Sequence, residues 1–178
     1  GHAPVIELAE KLLAIAPVPM ARVWFANSGS EANDCAARIA WYYWHAVGEP
    51  QRRKFIAHRL AYHGNTIATA SLTGADYAHE RFNLPLPGFL HVACPHPYRG
   101  AQEGESEDAY ADRLIADLET FIEREGPDTI AAFFAEPVIA AGGVIVPPAR
   151  YFEQLQALLK RHRILLVCDE VVTGFART

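Results

Sequence analysis

The chain has 178 residues, 51% hydrophobic and 21% charged, a make-up that suits a folded domain and excludes an intrinsically disordered chain. Sixteen Lys and Arg against 21 Asp and Glu leave a formal charge of −5, which argues against a general nucleic-acid binder with its basic face. Three cysteines, an odd count without CxxC spacing, suit a reducing compartment, read here as the cytoplasm, and no apolar run nears the roughly 20 residues of a membrane helix.

This length predicts about one domain with a substantial core. Apolar residues recur at helical spacing from Val5 to Ile15, and Pro17 and Pro19 stop that helix. Arg22 to Ala26 (RVWFA) reads as a short strand, Asn27-Ser28-Gly29-Ser30 as a turn, and Glu31 to about Val47 as a long helix. Lys54 to Ala57 is a second strand, and a helix is expected to begin near Thr66. Residues 74 to 110 read as an extended excursion with one short strand near Leu90 to Ala93. Asp108 to Arg124 is an amphipathic helix ended by Gly126-Pro127, and Ile130 to Ala135 (IAAFFA) a buried strand. A loop containing Gly142-Gly143 leads to a helix over Tyr151 to Arg161 and a last buried strand, Ile164 to Cys168. Strands alternating with helices predict an α/β fold, a mostly parallel sheet with helices on both faces.

Ligands of such sheets bind beyond the carboxyl ends of the strands. Four segments fall there. Around Gly29 and Ser30, free amides at a helix start, a glycine and a hydroxyl suit a phosphate, aided by roughly half a positive charge from the helix dipole. The same residues also suit an ordinary cap by Ser28 or Asn27. Tyr62-His63-Gly64 offers an aromatic face for a planar ligand, or a plain surface loop. Glu136, at the end of IAAFFA, enters either the crevice or water. Asp169-Glu170 follows five apolar residues, and a carboxylate there stays charged only beside a cation or strong donors. A magnesium role requires an upstream GxxxxGK[ST], which is missing; a cationic ring nitrogen and an N-cap remain. His91, Cys94 and His96 are read as a plain loop and no metal is expected, since prolines intervene and a fourth ligand is lacking.

Taken together, FANSGSEAND (25–34), AYHGNT (61–66), GPDTIAAFFAEPV (126–138), AGGVIVPP (141–148) and LLVCDEVVTGF (165–175) resemble the class III pyridoxal-phosphate aminotransferases, also called ω-aminotransferases. The resemblance implies that residues 1–178 are part of the large domain of a fold-type-I enzyme whose cofactor is pyridoxal 5'-phosphate. It implies Gly29 and Ser30 as phosphate binders, and Tyr62 and Val171 on opposite faces of the pyridine ring. Asp169 would partner the protonated ring nitrogen, with Glu136 nearby and His63 in support. It further implies an amine or ω-amino acid donor, a keto-acid acceptor such as pyruvate and a homodimer at full length. Neither nucleic acid nor membrane is expected as a partner.

The same resemblance implies a Schiff-base lysine a few tens of residues past the DEV motif. Only nine residues follow Asp169 and none is lysine. Lys11, Lys54 and Lys160 do not match that position. The sequence is therefore expected to be a central piece of such an enzyme, inactive alone. The lysine would lie beyond Thr178, with an N-terminal segment and a C-terminal small domain also outside the sequence. Ile139-Ala140 and Ala176 depart from the family's usual Gln-Gly and glycine. The alternatives are a same-fold aminomutase or epimerase, and a cofactor-binding remnant without catalysis. A nucleotide-binding module is disfavoured by the lack of GxGxxG and of a P-loop lysine.

Overall fold

The computed structural model of the chain describes residues 2–178. Strands β1 (Lys54–His58), β2 (Phe89–Val92), β3 (Ile130–Ala135) and β4 (Leu165–Cys168) pair in parallel, in the order β2-β1-β3-β4. All six residues of β3 are buried, as a central parallel strand covered on both faces requires. The helices are α1 (Ala3–Ile15), α2 (Gly29–Ala46), α3 (Ile67–Leu72), α4 (Pro97–Gly100), α5 (Glu107–Glu125) and α6 (Tyr151–Arg161).

Period-two alternation along the strands divides the core into two layers. Phe55, Ala57 and Phe134 meet Ala37, Ala40 and Trp44 of α2 and Leu72 of α3. Ile56 and Phe133 meet Leu114, Leu118 and Ile122 of α5 and Leu155 and Leu158 of α6. Burying one leucine of this kind contributes about 1.5–3 kcal/mol. Local chemistry fixes where these helices begin and end. The Ser106 hydroxyl caps α5, and Gly126 at φ +87° ends it. Thr66 and Thr69 form a reciprocal cap on α3.

The chain leaves β1 through α3 on one face and leaves β3 through α6 on the other. Between these, α4 and α5 carry it from β2 back across β1 to β3. The crossovers therefore diverge between β1 and β3, which opens a crevice at their carboxyl ends. At the opposite end, buried Arg52 fastens the sheet to α2. Its guanidinium donates to Glu49 at 2.6 Å and to the Pro127 carbonyl at 2.8 Å, and lies 4.4 Å from the Trp44 ring centroid.

The α/β class and the parallel sheet agree with the sequence reading, and the elements agree to within a few residues. One element does not form: Arg22 to Ala26 is irregular rather than a strand. A strand requires a ladder partner, and the sheet ends at β2 and β4. Trp24, 71% exposed, instead lines a shallow cavity of about 260 Å³ with Cys35, Arg38, Ile39 and Tyr42. Among the described residues no helix is long and apolar enough to cross a membrane.

Candidate active site

Three strand ends and the start of α2 converge on Asp169. The Asp169 amide donates to the Ala135 carbonyl at 2.8 Å, extending the β3–β4 ladder by one residue and fixing the side chain at the crevice. Its Oδ2 accepts from His63 Nδ1 at 2.9 Å and from Asn33 Nδ2 at 2.7 Å. Its Oδ1 accepts from the Val171 amide at 3.2 Å. Burial pushes this carboxyl up, but the donated hydrogen bonds from His63, Asn33 and Val171 outweigh burial and hold it below the usual aspartate range. Asp169 is therefore an ionised carboxylate with acceptor capacity left on Oδ1.

The partner fixes the tautomer of His63: Nδ1 carries the proton it donates to Asp169. Nε2 is buried and without a partner. The His63 amide donates to Thr73 Oγ1 at 2.9 Å, anchoring the backbone of the Tyr62–Gly64 turn.

Glu136, also buried, braces the same turn. Its Oε1 accepts from the Tyr62 amide at 2.9 Å and its Oε2 from the Ala140 amide at 3.1 Å. Burial raises its pKa, the two amides oppose that rise, and the nearby Asp169 charge adds to it. Glu136 thus acts on Tyr62 through the backbone. The Tyr62 ring is 39% exposed and borders an apolar cavity of about 600 Å³ with Ile67, Tyr77 and Phe82.

Ser28, not Asn27, caps α2: its hydroxyl accepts from the Glu31 amide at 3.1 Å, while Asn27 donates back to Glu31 Oε2. Gly29 and Ser30 become the first two helical residues, whose amides have no acceptor within the helix. Ser30 Oγ exchanges hydrogen bonds with Asn65, tying this end of α2 to the 61–66 loop. Two glycines lie at close approaches. A Cβ on Gly29 would lie 2.8 Å from Val171 Cγ2. One on Gly64, at φ +133°, would lie 2.5 Å from both Ser30 Oγ and Thr69 Oγ1. Val171 itself is 69% exposed and sits against the helix start.

The structure thus brings Gly29, Ser30, Tyr62, His63, Glu136, Asp169 and Val171 to one end of the sheet. It adds Asn33, which sequence reasoning passed over although FANSGSEAND contains it: Gly29 and Asn33 are four residues apart on α2, so both face the 169–171 segment. His58 and Tyr151 were also missed. His58, at the end of β1, is fully buried, lies 2.6 Å from the Tyr151 hydroxyl and is held neutral by burial, its pKa lowered to about 3. The lysines lie elsewhere. Lys54 Nζ bonds the Glu125 carbonyl at 2.6 Å at the start of β1, Lys11 pairs with Glu7, and Lys160 is in the last turn of α6. His91 contacts the Leu72 carbonyl through Nε2, and burial raises the Cys94 thiol to about 11.

The class-III aminotransferase model matches residues 1–178. The chain is 51% identical over 175 residues to gamma aminobutyrate transaminase 3, chloroplastic, of Solanum lycopersicum, covering 98% of this chain and 34% of that protein. It is 50% identical over 175 residues to the probable gamma-aminobutyrate transaminase 2, mitochondrial, of Oryza sativa subsp. indica, covering 98% of this chain and 35% of that protein. Among solved structures, the omega transaminase from Pseudomonas jessenii in complex with PMP superimposes with a TM-score of 0.98 at 56% identity, over 100% of this chain and 39% of that one. The chain spans about a third of the length of the curated relatives it matches. Sequence, fold and the convergence on Asp169 agree: the chain belongs to the class III aminotransferase family.

Proposed function

We propose that the chain forms the cofactor-binding part of an enzyme that uses pyridoxal 5'-phosphate to move an amino group from an amine or ω-amino acid to a keto acid such as pyruvate. The single observation that carries this reading is the state of Asp169: ionised, buried, gripped by His63 and Asn33, with Oδ1 still able to accept. Such a carboxylate suits a cationic donor opposite it, and a protonated pyridine nitrogen is one. The remaining residues fit the rest of the same molecule. The free amides of Gly29 and Ser30 suit its phosphate. The exposed aromatic side chain of Tyr62 suits its ring, with exposed Val171 proposed to cover the other side.

Bound there, pyridoxal phosphate supplies a protonated ring that takes up electrons when a C–H bond beside the amino nitrogen breaks. The chain's own residues bind and orient. Asp169 would accept from the ring N–H and raise its pKa, keeping the ring charged. His63 and Asn33 keep Asp169 ionised. Glu136 fixes the Tyr62 backbone and, through it, would orient the side chain on which the ring stacks. The free amides at the start of α2 would hold the phosphate, and Gly64 lets the 61–66 loop close against Ser30 beside them.

The relatives' names support the substrate class: gamma-aminobutyrate is an ω-amino acid, and one solved neighbour with a TM-score of 0.97 holds L-ala, the amino counterpart of pyruvate. The lysine that the family's chemistry requires is proposed to lie outside these 178 residues, which are part of the enzyme's large domain. The whole protein is proposed to be a homodimer. The exposed Trp24, Ile39 and Tyr42 on and before α2 support a surface that is covered in the assembly. Cysteines without disulfides support the cytoplasm or another reducing compartment, the plant relatives being named for chloroplasts and mitochondria.

The test supplies the whole protein with pyridoxal phosphate, an ω-amino acid and pyruvate. Alanine should form in step with loss of the donor, and Asp169→Ala should lower the rate by at least about 100-fold. No amino transfer from any amine or ω-amino acid, or an unchanged rate in Asp169→Ala, overturns the reading.

A further inference from the structure

We propose that Asn33 is a positioning residue for Asp169: its side-chain amide holds Oδ2 and the backbone of the Tyr62–Gly64 turn together, leaving Oδ1 to face the ligand. This rests on the pyridoxal-phosphate reading above. Asn33 is buried, 6% exposed. Nδ2 donates to Asp169 Oδ2 at 2.7 Å and to the His63 carbonyl at 2.9 Å, so both amide hydrogens are committed. One nitrogen thereby links three separate pieces of chain: the start of α2, the turn after β1 and the residue after β4.

The residue type follows from the geometry. An alanine here leaves the His63 carbonyl and Asp169 each short of a donor. An aspartate keeps the shape but sets a second negative charge beside Oδ2. A histidine could not serve both acceptors from one nitrogen. His63 grips the same oxygen through Nδ1, and Asn33, a carboxamide, is a member of the clamp that does not change with pH. The titratable groups facing this clamp are His63 from the turn, Glu136 from the end of β3, and His58 behind His63 from β1. All three are present in every variant compared below.

The test uses the whole protein and pyridoxamine 5'-phosphate, with binding read by quenching of tryptophan fluorescence across pH. It compares the native protein with Asn33→Ala and with the isosteric Asn33→Asp. Ligand titrations are common to all three proteins, so differences isolate the clamp. The acid limb of binding is expected to move up by about one pH unit in Asn33→Ala and further in Asn33→Asp. In the ligand-free proteins, labelled with ¹³C at aspartate carboxyls, the Asp169 resonance should titrate at correspondingly higher pH. A merely structural role weakens binding equally at all pH and leaves that resonance unmoved; this result, or superimposable limbs, overturns the proposal. Absence of saturable binding by the native protein overturns the cofactor reading instead, and the Asp169 resonance still decides whether Asn33 holds it.

Discussion

His58 makes the stability of this fold depend on pH in a way that one substitution should remove. Its ring is fully buried, and burial lowers its pKa from 6.5 to about 3. As pH falls below 6.5 the unfolded chain takes up the proton while the folded one does not. Stability attributable to His58 is therefore intact above pH 6.5 and is lost down to pH 3, at up to about 1.4 kcal/mol per pH unit. Between pH 6.5 and 4.5 the loss is about 2 kcal/mol. His58→Leu removes the titrating ring and its 2.6 Å bond to Tyr151. It costs stability at neutral pH, because the Tyr151 hydroxyl loses its partner, by about 1–3 kcal/mol. Its deficit relative to the native protein should then shrink by about 2 kcal/mol between pH 6.5 and 4.5. Tyr151→Phe breaks the same bond but keeps the ring, so its deficit should stay constant. Urea unfolding of the three proteins at several pH values gives these differences directly, and other titrating groups cancel. A His58→Leu deficit equal at pH 6.5 and 4.5 refutes the reasoning.

The remaining predictions concern the cradle and the frame beneath it. Gly64→Ala must adopt φ +133° and displace Ser30 or Thr69, so unfolding should show a loss of about 1–3 kcal/mol and fluorescence titration a large loss of pyridoxamine phosphate affinity. Gly29→Ala meets only the exposed, movable Val171 side chain; it should cost under about 1 kcal/mol of stability while still weakening binding at least tenfold. Glu136→Gln exchanges one of two accepting oxygens for a donor facing an N–H, and should lower the unfolding free energy by about 1–3 kcal/mol and weaken stacking on Tyr62. Arg52→Ala takes one of two arginine partners from Glu49, which keeps Arg163, and removes the donor that Arg52 gives the Pro127 and Ile130 carbonyls at the far end of the sheet. Urea unfolding should show a loss of about 1–3 kcal/mol, with cofactor affinity unchanged once folded.

Much of this site is legible from the chain alone because each of its residues follows a strand or opens a helix. Asp169 is marked by the apolar run before it, and Gly29-Ser30 by the turn that starts α2. What binds these residues together is not legible. Asn33 meets Asp169 across 136 positions and His58 meets Tyr151 across 93, and such pairs leave no periodicity to read. Glu136 shows the same limit. Its place at a strand end follows from IAAFFA, but its task of holding the Tyr62 and Ala140 amides depends on how two loops fold over it. RVWFA has strand composition, yet composition does not supply a neighbour, and Trp24 instead lines a cavity with residues of α2.

The central claim is that Asp169, Tyr62 and the start of α2 together bind pyridoxal phosphate in one orientation. A crystal structure of the whole protein grown with pyridoxamine 5'-phosphate tests it most directly. The account predicts the phosphate on the amides of Gly29 and Ser30, the ring against Tyr62 and the ring nitrogen within hydrogen-bonding distance of Asp169 Oδ1. A ligand bound elsewhere, or with its ring nitrogen turned away from Asp169, contradicts it.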